Sequence, residues 1–129
     1  MFFNEKIVRF VNGYDSRHHV DHSNLLALSW LSIPDRVHFF RMIHLFKIKH
    51  CLGPCYLRSN IVSVSDIHSH RTRGSVSNFH LSKSYSNCPS AFSYSCVKDW
   101  NSLPNRIKTI DSLPSFKREL RKFLLSTYD

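Results

Sequence analysis

The sequence lacks the long apolar runs and leader segments that mark membrane and secreted proteins. No stretch of its 129 residues approaches the ~18 consecutive apolar residues of a transmembrane helix. The opening Met-Phe-Phe-Asn-Glu-Lys holds an apolar run that is too short for a secretory signal and is interrupted by charge. We therefore expect an intracellular protein, in the nucleus or cytoplasm, that is not secreted and has no membrane partner.

Cysteine is scarce, with four residues at positions 51, 55, 88 and 96. In a reducing compartment all four are expected to be free thiols, and a secreted protein with two disulfides is the alternative. Cys51 and Cys96 lie among apolar residues and are predicted to fill small spaces in the core.

Recognisable catalytic motifs are also missing. There is no glycine-rich phosphate loop, no repeated Cys-x-x-Cys pair and no Gly-x-Ser-x-Gly turn. Asp15 follows an aromatic residue, but Ser16 comes next, so the paired carboxylates that hold two polymerase metals are absent. The histidines and cysteines form no compact set of four metal ligands. We expect no enzyme activity, no catalytic residue, no metal and no cofactor.

Acidic residues are few, and the resulting positive charge is unevenly placed. Eighteen Lys and Arg residues oppose nine Asp and Glu residues, a net charge of +9. Residues 1–29 are neutral overall, whereas residues 30–125 carry fifteen basic and five acidic side chains, a net of +10. Such a basic body favours a polyanionic partner, because neutralised phosphates release counterions. Ordinary solubilising charge is the other interpretation.

The apolar residues that are present predict a small helical fold. Ten Phe, five Tyr, two Trp and 42% apolar content indicate a packed core, and the length allows one domain or less. Apolar spacing and capping residues predict helices over about 35–51, 90–101 and 112–126. The alternation from Phe92 to Cys96 leaves a strand open for the second of these. Ile7, Val8, Phe10 and Val11 are predicted to face the core from a shorter N-terminal helix, whose pattern ends at Gly13.

Two surfaces of these helices have open interpretations. On the helix predicted over about 35–51, a polar strip is formed by His38, Arg41, His44 and Lys47. We interpret this strip as the solvent side of a largely buried helix. On the last helix, a basic face opposite Phe116 and Leu120 is either a solvated surface or a nucleic-acid contact. The overall prediction is a mainly α fold, a small irregular bundle of short helices with a polar loop or short β-hairpin in the middle.

Several short motifs follow one another in order between residues 24 and 126. They are Leu28-Ser29-Trp30-Leu31, then Pro34, Arg36 and Phe39, Leu45-Phe46-Lys47, Gly53-Pro54-x-Tyr56-Leu57, Arg71-Thr72-Arg73-Gly74-Ser75, Phe92-Ser93-Tyr94, Trp100-Asn101-Ser102-Leu103-Pro104, Ile107-Lys108 and Ser112-Leu113-x-x-Phe116-Lys117-x-x-Leu120. Together they resemble the C-terminal tail of LINE-type (non-LTR) retrotransposon reverse transcriptases. The sequence departs from that pattern at Cys55, where Ser is usual, and at Asp99, where an apolar residue is common.

The resemblance implies a division into a lead segment, 1–23, and a tail-like module, 24–126, with a polar connector at 60–89. It covers only the region after the polymerase, so the catalytic aromatic-x-Asp-Asp box and the endonuclease have no counterpart. It implies a stand-alone remnant of the tail, with RNA or DNA and the polymerase core of a parent enzyme as partners. A protein-interaction module and a non-functional pseudogene product are the alternatives.

Specific residues follow from this interpretation. Eight basic residues are predicted to contact nucleic-acid phosphates: Arg71, Arg73, Arg106, Lys108, Lys117, Arg118, Arg121 and Lys122. Six apolar residues are predicted to form the core: Trp30, Phe92, Trp100, Phe116, Leu120 and Phe123.

Overall fold

The computed structural model describes residues 2–67, 77–81 and 92–128, and these residues are mainly helical, as predicted. They form α1 (Phe2–Asn12), α2 (His22–Ala27), α3 (Ile33–Lys49), α4 (Cys55–Arg58), α5 (Val64–Ile67), α6 (Phe92–Ser102), α7 (Asn105–Lys108) and α8 (Leu113–Ser126). An isolated antiparallel bridge pairs Ser63 with Phe79, and no longer strand occurs within the described segments.

The central element is α3, which packs against α4, α6 and α8. Its start follows from local chemistry: Ser32 is the N-cap, its hydroxyl accepts a hydrogen bond from the Asp35 amide (3.3 Å), and Pro34 lies in the first turn. The helix therefore begins two residues before the predicted position. It ends at Lys49, and the chain then turns at Cys51, whose φ is +56°.

Aromatic side chains from four segments form the centre of the core. The Trp100 ring lies 5.7 Å, centroid to centroid, from the rings of both Phe79 and Phe116, and Phe46 stacks on Phe116 at 4.5 Å. Trp100, Phe46 and Phe116 are fully buried. The indole N–H of Trp100 donates to the Ser77 carbonyl (2.8 Å), so the one polar atom of the ring is satisfied.

Residues 92–102 form a helix, which settles the choice between helix and strand. Cys96, Val97 and Trp100 are buried on one face of α6, and the Cys96 prediction is confirmed. Phe92, however, is 45% exposed, so its place in the predicted core is wrong. It is the first residue of α6, four positions before Cys96, where the buried face of the helix begins.

Other core predictions were only partly right. Phe116 and Leu120 are fully buried and Phe123 packs at the edge of the core, while Trp30 is half-buried and outside the main cluster. The predicted N-terminal helix is present and ends at Asn12, directly before Gly13, whose φ is +66°, yet Val8 is the one buried residue among the four predicted to face the core. The other three, Ile7, Phe10 and Val11, are exposed, and so is Cys51.

The solvent side of α3 also differs from the prediction. His44 is exposed, but His38, Arg41 and Lys47 are half-buried. The exposed side of the helix instead carries Ile33, Val37 and Phe40, which we call the apolar stripe.

Besides Trp100, the side chain of Asn101 holds the polar connector against α6. The Asn101 amide accepts from the Phe79 N–H (3.0 Å) and donates to the Phe79 carbonyl (2.8 Å), as a neighbouring strand would. On its other side Phe79 faces Ser63, with Val64 N–H donating to the Asn78 carbonyl and His80 N–H to the Val62 carbonyl. Residues 68–76, where a hairpin would turn, lie outside the described residues, so the hairpin stays a prediction.

Candidate nucleic-acid interface

Four of the predicted phosphate contacts lie together on α8. Lys117, Arg118, Arg121 and Lys122 are exposed, and we call this surface the basic ridge. The opposite face of the helix, with Phe116, Leu120 and Leu124, is buried in the core. Because the two sets alternate at helical spacing, burying the apolar face presents the charged face to solvent.

One carboxylate lies within the ridge and offsets part of its charge. Glu119 is 3.2 Å from Lys122 Nζ and 3.5 Å from Arg118 Nε. The hydrogen bond from Lys122, supported by Arg118, holds the pKa of Glu119 below its usual value, so it is ionised at neutral pH. The ridge therefore contributes four positive charges and one negative charge.

Arg121 has a second role that the sequence did not reveal. Its Nη2 donates to the Ser29 carbonyl (2.6 Å), which ties α8 to the turn between α2 and α3. Ser29 has a φ of +52°, in the left-handed region that a serine rarely adopts. A guanidinium has five N–H donors, so this bond leaves donors for a phosphate.

Lys108 does not belong to this interface. It is only 3% exposed, and its Nζ donates to Asn78 Oδ1 (2.8 Å) and to the Asn101 carbonyl (3.2 Å). Burial, together with the charge of Lys49, lowers the pKa of Lys108. The prediction that it contacts phosphate is wrong, because α7 turns this side chain inward beside α6.

The remaining predicted contacts are separate from α8. Arg106 is exposed on α7, which packs against α8. Arg71 and Arg73 lie outside the described residues, so their part in binding stays a prediction.

The histidine and cysteine side chains of the described residues bear on whether the protein could bind a metal or act as a nucleophile. No group of three His, Cys, Asp or Glu side chains in the described ranges could hold a metal ion. His19 instead pairs with Asp21 (3.0 Å), and His22 stacks on Tyr128. Burial raises the pKa of the Cys96 thiol to about 11, which keeps this thiol protonated and a poor nucleophile at neutral pH.

Two cavities lie away from the basic ridge. The larger, about 650 Å³, lies between α1, α2 and the start of α3, and Leu25, Ile33 and Pro34 are among its lining residues. The smaller, about 90 Å³, is lined in part by Lys49 and Arg58, neither of which was predicted from the sequence to belong to a binding site. Lys49 lies in the last turn of α3, where a lysine is explained by the helix dipole alone, and Arg58 has no basic neighbour in the chain, so no local pattern marked a site.

Comparison with known proteins adds no relative: no protein-family model, curated protein or solved structure matches the chain. None of the helices that the structure describes has both the length and the apolar character needed to cross a bilayer.

Proposed function

We propose that this chain is a stand-alone C-terminal tail of a non-LTR reverse transcriptase, without the polymerase active site, and that it binds the backbone of RNA or DNA. It would act inside the cell, in the nucleus or cytoplasm. The observation that carries the binding proposal is the basic ridge, which is exposed along one face of α8 while the other face is locked in the core. Closely spaced cations on a rigid helix suit the repeating charges of a phosphate backbone.

A salt titration with single-stranded RNA tests this proposal. Binding measured by fluorescence anisotropy should weaken linearly on logarithmic axes, with a slope near 0.7 for each phosphate contacted. The double variant Lys117→Gln, Lys122→Gln removes two ridge charges and should reduce both affinity and slope.

The chain offers a control with the same net charge. Lys6→Gln, Lys98→Gln removes two exposed lysines from α1 and α6, far from the ridge in sequence. We expect a clear loss of RNA affinity for the ridge variant and a small loss for the control variant. Equal losses would mean that total charge alone drives binding, and undetectable binding at low salt would reject the ridge as an interface.

The apolar stripe favours a second function, docking on a protein such as the polymerase core of a parent enzyme. Ile33, Val37 and Phe40 follow helical spacing on α3 and are 41%, 46% and 53% exposed. A contiguous apolar surface of this kind commonly marks a protein contact. Sedimentation of the purified chain tests it: concentration-dependent self-association that Val37→Lys abolishes supports an interaction surface, whereas a monomer at all concentrations, with no effect of the variant, contradicts it.

A further inference from the structure

Two lysines, Lys49 and Lys108, lie next to each other at the edge of the core. Lys49 Nζ donates to the Lys108 carbonyl (3.0 Å) and lies 5.5 Å from the centre of the Trp100 ring. Lys108 Nζ contacts only the neutral oxygens of Asn78 and Asn101 among the described residues. Both ammonium groups are therefore held by neutral oxygen atoms, and that of Lys49 also by the face of the Trp100 ring, without a carboxylate partner among the described residues.

The surrounding sequence offers little to neutralise them. No described carboxylate lies within 4.0 Å of either ammonium, and Asp111 acts on Lys49 only at longer range. Among the residues outside the description, the internal segments 68–76 and 82–91 contain no Asp or Glu, and Asp129 at the C-terminus is acidic. Burial lowers the pKa of Lys49, and burial with the Lys49 charge lowers that of Lys108. Buried charges in proteins are normally paired. Lys49 is half-buried and lines the cavity described next, so an anion bound there would neutralise its ammonium group.

A cavity of about 90 Å³ lies beside this pair. It has several times the volume that one water needs, which gives room for a small tetrahedral oxyanion. Lys49 and Arg58 supply two cations to its lining, and Ser63, Ser77 and Asn78 supply polar groups. Because Asn78 Oδ1 accepts from Lys108, the other polar atom of that amide is a donor.

One acidic residue, Asp66, also lines the cavity and is exposed. Its carboxylate repels an anion and so limits the affinity of the site. Removing the negative charge of Asp66 should therefore improve phosphate binding.

We propose that this cavity, the Lys49–Arg58 cavity, binds a phosphate group, with the two cations neutralising it and the polar side chains orienting it. The proposal is independent of the basic ridge, because no ridge residue lines the cavity. The phosphate could belong to free inorganic phosphate or to the end of a nucleic-acid strand, and the same chemistry recognises both.

The test is calorimetric titration of the full chain with inorganic phosphate, against sodium chloride at matched ionic strength. Lys49→Met and Arg58→Gln should each weaken phosphate binding by about tenfold or more, since each removes a charge-assisted hydrogen bond. Asp66→Asn should strengthen it, and Lys98→Met, on exposed α6 surface, should leave it unchanged. Circular dichroism establishes that each variant is folded.

Asp66→Asn keeps the test decisive even if a substitution at Lys49 unfolds the protein. Phosphate binding no stronger than that of chloride, or an Asp66→Asn variant and an Arg58→Gln variant that both bind like the wild type, overturns the proposal. The two sites can be tested separately. If the variant without Lys117 and Lys122 loses RNA binding but still binds inorganic phosphate, the basic ridge and the Lys49–Arg58 cavity are independent sites.

Competition identifies the source of the phosphate. On the variant that lacks Lys117 and Lys122, a short 5′-phosphorylated oligonucleotide that displaces inorganic phosphate, while its 5′-hydroxyl counterpart does not, assigns the site to strand ends. If neither oligonucleotide competes, the site takes free phosphate.

Discussion

At the scale of single residues, the same side-chain type has opposite roles in different parts of this chain. Lys108 and Lys122 are both lysines in short basic motifs, but one is buried beside Asn78 and the other is exposed beside Glu119. Burial strips water from an ammonium, so the first is held by fixed acceptors, while the second stays free to exchange partners.

The difference predicts unequal effects on stability. Lys108→Ala removes the donor for Asn78 Oδ1 and the Asn101 carbonyl, and leaving such acceptors unsatisfied costs about 1–3 kcal/mol. Lys98→Ala, on the exposed surface of α6, should change the free energy of unfolding by no more than about 0.5 kcal/mol. Urea denaturation followed by circular dichroism measures both, and similar small changes would contradict the structural role of Lys108.

Glu119 provides a residue-scale test of the basic ridge. Glu119→Gln frees Arg118 and Lys122 from their carboxylate partner, so RNA affinity at low salt should rise by about two- to fivefold. Anisotropy titration measures this change, and high salt should remove it. An unchanged affinity would mean that RNA does not contact these two side chains.

At the scale of elements, the end of α8 is fastened to the start of α3. The Tyr128 hydroxyl donates to Asp35 and accepts from the Ser32 N–H (2.7 Å). Arg121 makes a second attachment to the Ser29 carbonyl. These two contacts join residues more than ninety positions apart, which fixes the direction in which the basic ridge faces.

The tyrosine contact predicts a specific pH dependence. Burial, followed by the bond to Asp35, raises the pKa of Tyr128 above its ordinary value of 10.0 in the folded state. The stability that the protonated Tyr128 hydroxyl contributes is therefore fully present below pH 10, and it is lost as the pH rises through the pKa of the folded state.

Tyr128→Phe should lower the free energy of unfolding by about 1–2 kcal/mol at neutral pH. The difference in the free energy of unfolding between the variant and the wild type should then become smaller in alkaline solution, because ionisation of Tyr128 removes the same bond from the wild type. Thermal denaturation of both proteins across this range measures the difference. A difference that widens with pH would show that the hydroxyl does not act as a donor to Asp35.

At the scale of the whole molecule, stability depends on the contacts of Trp100. This residue joins α6 to Phe79 of the connector, to Phe116 of α8 and to Lys49 of α3. Trp100→Ala should cost about 3–5 kcal/mol, a large share of the 5–15 kcal/mol typical of a folded domain. Trp30→Ala is the matched control, since Trp30 is half-buried outside the main cluster and should cost much less. Denaturation by urea, followed by circular dichroism, distinguishes the two; equal losses would contradict a single core centred on Trp100.

Much of the helical pattern could be predicted from the sequence because its signals are local. Pro34 and Pro114 suit first turns, and the spacing of Phe116, Leu120 and Leu124 identifies one buried face. For the same reason the four ridge residues of α8 could be assigned to the opposite, exposed face.

The sequence by itself thus determined where the main helices lie, which aromatic residues they could bury and where the positive charge accumulates, since each depends on neighbours within a few turns. Only the tertiary structure decided that Lys108 points inward, that Phe92 points outward and that Lys49 and Arg58 line one cavity. Helical spacing groups residues on a face but does not say what meets that face, and a helix as short as α7 has too few residues to define one. That choice is made by packing between segments far apart in the chain.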